Sequence, residues 1–285
     1  MTDLRRYIPA WIRRPARSVR RTYRELTWRS RSLPDFLIIG AQKAGTSSLF
    51  AYLGQHPQLI PSHIKEVHFF DGGLDEEVDT YGLGEAWYRS HFPRRRMLGP
   101  DRMTFEASPL YLFNPLAPMR ISDLVPEARL IAILRNPTER AISHYHHFRR
   151  IGWESLPMLE AFRSEESRLA SAIEQEYYKS PSYIRYSYKR RGLYRNQLAR
   201  YLEHFPMRKM FIASSEAFFA RPRTVLDDVL DFLELDGYVE AVDVRPRNVG
   251  SYESNSNAEA RDYLDAYFRP HNEALFELIG RRFNW

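Results

Sequence analysis

The sequence predicts an α/β fold: a P-loop-like parallel sheet with helices on both faces, in a single domain. Three observations lead there. Short apolar runs closed by glycine or proline alternate with segments of helical period, the pattern of buried parallel strands joined by helices. The first run ends in a loop bracketed by Gly40 and Gly45 that opens directly into a helical pattern. The chain has 285 residues and is 44% hydrophobic, enough for a large buried core.

The elements follow in order. "DFLIIG" (35–40) reads as a buried strand, and "TSSLFAYLGQH" as the helix after it, with Leu49, Tyr52 and Leu53 on one side and Gly54 near its end. "MTFEAS" (103–108) is a short strand stopped by Pro109. "ARLIAILRNP" (128–137) is the clearest second buried strand, and Pro137 both ends it and opens the helix "TERAISHYHHFRR". "RKMFIAS" (208–214) is a further strand, preceded by the helix "LYRNQLARYLEHF". "PRTVLDDVLDFLEL" and "AEARDYLDAYFRPHNEALFELIG" carry apolar residues at helical spacing. In a parallel sheet of this kind ligands bind beyond the carboxyl ends of the strands, where Lys43 and Arg135 fall.

Charge is distributed unevenly. The net charge is +6, but residues 1–34 hold ten arginines against Asp3 and Glu25, so the arm carries +8 and the rest of the chain −2. This divides the chain into a basic N-terminal arm, 1–34, and a domain, 35–285. The arm lacks a long apolar run, so it reads as neither a secretory signal nor a membrane span. Three readings of it stay open: a solvated arm, a segment lying on an anionic membrane surface or polyanion, and an Arg-rich presequence. The absence of cysteine excludes disulfides and thiolate sites and fits a reducing, cytoplasmic compartment, with a membrane-peripheral location left open by the basic arm.

The glycine-bracketed loop, "GAQKAG", departs from the ATP-type signature, in which lysine follows the second glycine. Here Lys43 lies inside the loop and Thr46 follows Gly45. The amides of Ala44, Gly45, Thr46, Ser47 and Ser48 occupy the loop and first helical turn, where donors lack intrahelical partners, which makes an anion site. The glycines let the chain turn and let a ligand approach. Downstream, "HIKEVHFFD" places Glu66 beside apolar residues expected to raise its pKa, and His68 two residues on. Asp71 either binds a ligand or caps the turn before Gly72.

These segments carry a resemblance. "PDFLIIGAQKAGTSSLFAYLGQHP" resembles the 5′-phosphosulfate loop of the sulfotransferase family, whose members use 3′-phosphoadenosine 5′-phosphosulfate (PAPS). "KEVHFFD" (65–71) resembles the catalytic segment of heparan-sulfate-type members. "RLIAILRNPTERAISHYHHF" (129–148) resembles their 3′-phosphate segment, with Arg135 and Ser143 at the matching positions. "RGLY" with "QLARYLEHFP" (191–206) and "YFRPHNEALFELIG" (267–280) are similar to bacterial carbohydrate-type members. The likeness runs from about residue 34 to the end.

The resemblance implies a sulfotransferase that moves a sulfuryl group from PAPS to a hydroxyl or amino group of a carbohydrate or glycolipid, without a metal. Lys43 would stabilise the leaving oxygen. Glu66 would be the general base, with His68 as orienter or alternative base. Arg135 and Ser143 would hold the 3′-phosphate, while Gly250, Ser251 and Tyr252 in "RNVGSYES" would contact the cofactor. Several heparan-type enzymes have lysine where this chain has Ala107, so a heparan-like acceptor is not implied. The competing readings are a P-loop nucleotide-dependent kinase, against which the displaced lysine stands, and a basic polyanion- or membrane-binding module. The −2 body gives no reason to expect a specific nucleic-acid partner.

Overall fold

The structure, a computed structural model, describes residues 21–237, 239–245 and 258–285. Five strands form one sheet: β1 (Phe36–Gly40), β2 (Leu59–Pro61), β3 (Met103–Ala107), β4 (Arg129–Leu134) and β5 (Met210–Ser214), in the order β2-β3-β1-β4-β5. Every pairing is parallel. Phe36 is opposite Phe105 on one side and Arg129 on the other, and the β4–β5 register runs from Leu130↔Met210 to Leu134↔Ser214. Each residue of β1 is buried, as are the last five of β4, so both faces of the sheet centre are covered, as the apolar runs predict.

Because all strands point the same way, the segments after Gly40, Pro61, Ala107, Leu134 and Ser214 leave one edge of the sheet. The chain leaves β1 toward the β3–β2 side, and β4 and β5 lie on the other. The crevice of a doubly wound sheet therefore opens between the ends of β1 and β4.

The predicted helices form where the sequence patterning puts them. Helix α1 (Thr46–Leu53) follows the first loop. Helix α2 (Pro137–Arg150) begins with Pro137 at its first position, and the Asn136 side chain accepts from Glu139 N at 3.2 Å. Helix α3 (Tyr194–Leu202) precedes β5. Helix α4 (Pro222–Leu233) buries Val225, Leu226, Val229, Leu230 and Leu233, one stripe at helical spacing. Helix α5 (Ala258–Ile279) runs through Pro270. A second apolar cluster, including Ile142, Phe162, Tyr188, Leu264 and Phe268, ties α2 to α5 and to the 187–192 turn.

The sequence reading left three features unassigned. Strand β2 has three residues and ends in proline, which only an edge strand tolerates. Helices at Met158–Arg163, Glu165–Glu174 and Pro181–Tyr186 fill the stretch between α2 and α3. The end of the basic arm also packs on the body. Arg31 and Ser32 are buried, Arg31 Nη1 donates to Phe92 O at 2.7 Å, and Ser32 N donates to Pro93 O at 3.0 Å.

Candidate active site

The loop after β1 is shaped by its two glycines, each for a different reason. A Cβ on Gly40 would lie 2.6 Å from Leu112 Cβ, so this glycine admits the neighbouring 108–112 turn rather than a ligand. Gly45 has φ 101° and a Cβ there would meet the Phe219 ring at 2.9 Å. Lys43 also has positive φ, at 70°. Two of the five expected anion-binding amides are already used: Ala44 N donates to Ala41 O at 3.2 Å and Ser48 N to Gly45 O at 2.9 Å. The expected donor set therefore contracts to Gly45, Thr46 and Ser47. Of the three hydroxyl residues, Thr46 and Ser48 are buried and Ser47 is part-exposed.

Cations crowd this loop. Arg135 Nη1 donates to Lys43 O at 3.1 Å, which brings the end of β4 onto the β1 loop as expected. Burial lowers the Lys43 pKa, and Arg150, Arg135 and Arg140 lower it further. Arg140, Ser143, His147 and Arg150 recur at helical spacing along α2, so Ser143, itself buried, shares a helix face with residues whose charges bear on Lys43. His144, fully buried, is pushed well below its ordinary pKa by burial and by Arg191, Arg140 and Lys43, and stays neutral. Arg135 does pair with Glu139, but at 3.8 Å, while Glu139 sits closer to Arg261.

Arg191 was not singled out by sequence, although it stands in the quoted "RGLY". It is 2% exposed, its Nη1 donates to the Gln42 side chain and its Nη2 to Ile184 O at 2.5 Å. Burial drags its pKa down to about 9, and Arg140 adds to the effect. The side-chain nitrogens Arg140 Nε, Arg191 Nε and His144 Nε2 are buried without a partner. Among the described residues no carboxylate forms an ion pair with Lys43, Arg140 or Arg191. Unpaired buried cations are costly, so this cluster fits an anion brought to the loop from outside. Gly250, Ser251 and Tyr252 lie outside the described residues.

A second group lies beyond the ends of β2 and β3. Glu66 N donates to Ala107 O at 2.9 Å, which ties the 62–71 segment to the end of β3. Glu66 and His68 both have positive φ, 63° and 52°. His68 Nδ1 lies 2.6 Å from Asp71 Oδ2, and Nε2 lies 3.4 Å from Glu66 Oε2. The second distance is an ionic contact, too long for a well-formed charged hydrogen bond, which leaves buried Nε2 otherwise unpartnered. Burial disfavours the His68 cation, but Asp71 and Glu66 together outweigh it and raise the pKa to about 10. Burial likewise opposes the Glu66 carboxylate, yet His68 and Lys65 bring it down to about 2.

The expected rise of the Glu66 pKa is therefore reversed. The nearby apolar residues matter less than the two cations that touch the carboxylate. Asp71 is also resolved: its side chain is inaccessible and accepts from His68 and, at 3.1 Å, from Gly73 N, so it orients His68 and caps the turn.

Beneath these residues a buried carboxylate holds the backbone in place. Glu106, at the end of β3, accepts from Tyr88 OH at 2.6 Å, Tyr111 OH at 3.0 Å and Ser108 Oγ at 2.8 Å. Ser108 Oγ in turn accepts from His68 N at 3.2 Å, and Tyr111 OH accepts from Phe69 N at 2.9 Å. Nothing in the spacing of "EASPLYLF" signals this, because the partners converge from three separate segments.

Residues 33–252 match the sulfotransferase domain family. Among curated proteins the chain is similar to the membrane-associated sulfotransferase kil1 of Dictyostelium discoideum, with 28% identity over 89% of this chain and 66% of the relative. It is 33% identical to the bifunctional heparan sulfate N-deacetylase/N-sulfotransferase 1 of Caenorhabditis elegans, over 72% of this chain. It is 29% identical to mouse heparan sulfate glucosamine 3-O-sulfotransferase 6, over 90% of this chain and 74% of the relative. The chain thus spans just under two thirds of the first of these proteins and 22% of the second. Among solved structures it is similar to a sulfotransferase from Alicyclobacillus acidocaldarius, with TM-score 0.69 and 32% identity over 88% of this chain and 98% of that one.

Proposed function

The chain belongs to the sulfotransferase family, and from that premise we propose that it moves a sulfuryl group from PAPS to a hydroxyl or amino group of a carbohydrate acceptor. The observation that carries the reading is the cluster of Lys43, Arg140 and Arg191 around the β1 loop, none of them ion-paired with a carboxylate among the described residues, with Glu66 and His68 beyond the neighbouring strand ends. PAPS presents a phosphosulfate and a 3′-phosphate, and such a cluster offers the charge they require. The glycan class of the acceptor is supported by relatives named for heparan sulfate chemistry.

In this reading the Gly45–Ser47 amides bind the 5′ group and Arg135, with Ser143, binds the 3′-phosphate. The acceptor oxygen or nitrogen forms a bond to sulfur as the bond from sulfur to the bridging oxygen breaks. Lys43 stabilises the negative charge that develops on that leaving oxygen. Glu66 takes the acceptor's proton. A carboxylate with a pKa of about 2 is a weak base towards a free alcohol. It is strong enough once the acceptor atom has begun to bond to sulfur and become acidic. His68, itself held by Asp71, and Lys65 keep that carboxylate ionised.

The test is incubation of the protein with PAPS and a panel of glycans, read by mass spectrometry. Sulfate on a glycan is expected. Phosphate transfer from ATP, or no transfer from PAPS to any sugar, would contradict the reading.

A further inference from the structure

Two segments far apart in sequence build one basic face on the body. Residues 21–26 are helical and lead through a turn at Trp28–Ser30 to Arg31, which forms an antiparallel bridge with Arg94. Arg94 donates to Tyr23 OH, and its guanidinium lies 5.1 Å from the centre of the Tyr23 ring. These contacts set the arginines of "RTYRELTWRS" beside "PRRRML" (93–98), a segment without acidic residues. The acid in the first segment, Glu25, is engaged by Arg21 at 2.8 Å, and Arg95 and Arg96 are exposed at the surface of the second.

Apolar side chains protrude through this charge. Leu26 is 80% exposed, Met97 55% and Tyr23 52%. The field of the face reaches inward: burial, then Arg24 and Arg31, hold His63 at a pKa of about 4.

We propose that this face docks the protein on an anionic lipid surface, with Arg95 and Arg96 at the headgroup phosphates and Leu26 and Met97 in the layer below. The exposed apolar tips decide between partners. A polyanionic glycan would engage the arginines and leave Leu26 and Met97 in water, whereas an interfacial lipid layer takes both kinds of side chain. The inference is independent of the sulfuryl-transfer reading, since none of these residues belongs to the site described above.

The experiment is co-sedimentation of the full chain with phosphatidylcholine vesicles, with and without phosphatidylserine, and parallel binding to heparin. Binding to the anionic vesicles alone is expected. R95E/R96E should weaken it by at least about 25-fold, roughly fivefold for each arginine removed. L26S/M97S should weaken vesicle binding about tenfold or more while leaving heparin binding unchanged. All four side chains are exposed, so both variants should melt as the parent does, and R95Q/R96Q serves as a milder charge variant. Equal binding to both vesicle types would overturn the proposal. So would vesicle affinity that survives R95E/R96E, which would place the contact in residues 1–20. Heparin binding that depends on Arg95 and Arg96 without any vesicle binding would make the face a glycan site.

Discussion

At the scale of single residues, the arrangement of Glu66, His68 and Asp71 makes its own predictions. Glu66→Gln keeps size and polarity but removes the basic carboxylate, so sulfate transfer should fall about 10²–10⁴-fold. PAPS affinity should hold, because the proposed reading gives those contacts to the loop and Arg135. Steady-state kinetics beside PAPS calorimetry separates the two, and an active Glu66→Gln beside a dead His68→Ala would move the base to His68. The same residues leave a mark on stability. The His68 pKa rises from 6.5 to about 10 on folding, so its charge stabilises the fold in full below pH 6.5 and that contribution fades as pH climbs to about 10. Asp71→Asn removes the buried partner, a loss of about 3–5 kcal/mol for pairs of this kind. The gap in melting temperature should be wide at pH 6.5 and narrow toward pH 10, and a gap independent of pH would disprove the linkage.

Arg191 is the other residue with a distinct signature. Its guanidinium acts on the loop through Gln42, one residue before Lys43. Arg191→Met and Gln42→Ala should each weaken PAPS binding by roughly 10–100-fold, as expected for a lost hydrogen bond to a charged group. The double variant should be little worse than either single one. Additive losses in calorimetric titrations would mean that the two residues do not act as a pair.

At the scale of elements, legibility followed burial. Strands β1, β3, β4 and β5 read directly from the sequence because they are short apolar runs stopped by glycine, proline or a polar turn. Helix α2 read equally well, since Pro137 marks its start. Strand β2 did not, for three residues show no period. The stretch from 151 to 192 was silent for a different reason: its buried positions include Glu154, Glu165, Lys189 and Arg191, so the charged residues that normally mark a surface here occupy the interior. Those buried charges pair locally, as Glu154 does with Arg168 at 2.7 Å, or grip backbone, as Glu165 does with Arg190 N at 2.9 Å. The first loop was legible as a candidate anion site from Gly45, Lys43 and Thr46. Which amides remain available was not, because that depends on turns closed by Ala41 and Gly45 carbonyls. The direction of the Glu66 shift was missed because spacing shows neighbours in sequence, and His68 turns back on Glu66 only through two residues of positive φ.

At the scale of the whole molecule, the parallel sheet gathers the β1 loop, the end of β4 and the 62–71 segment at one edge, while the basic face is built from the arm and 93–98. The arm itself divides. Residues 31–34 are buried or part-buried, and Arg31 is held by Phe92 O, Arg24 O and the Arg94 bridge. Removal of residues 1–20 should leave the melting temperature near that of the full chain. Removal of residues 1–33 should lower it, because it strips Arg31 and Ser32 from the body and leaves the Arg89 and Phe92 contacts open. Equal melting of both truncations would show that the junction adds nothing to stability.

The central claim is that the β1 loop with Lys43 at its tip holds PAPS and stabilises the leaving oxygen during transfer. The most direct measurement is single-turnover sulfate transfer by Lys43→Ala, with PAPS affinity of the same variant measured by calorimetry. Transfer should fall about 10²–10³-fold, the usual loss when one preorganised donor to a developing charge is removed. PAPS affinity should fall only modestly, since the Gly45–Ser47 amides and Arg135 remain. Near-normal single-turnover transfer by Lys43→Ala would contradict the account.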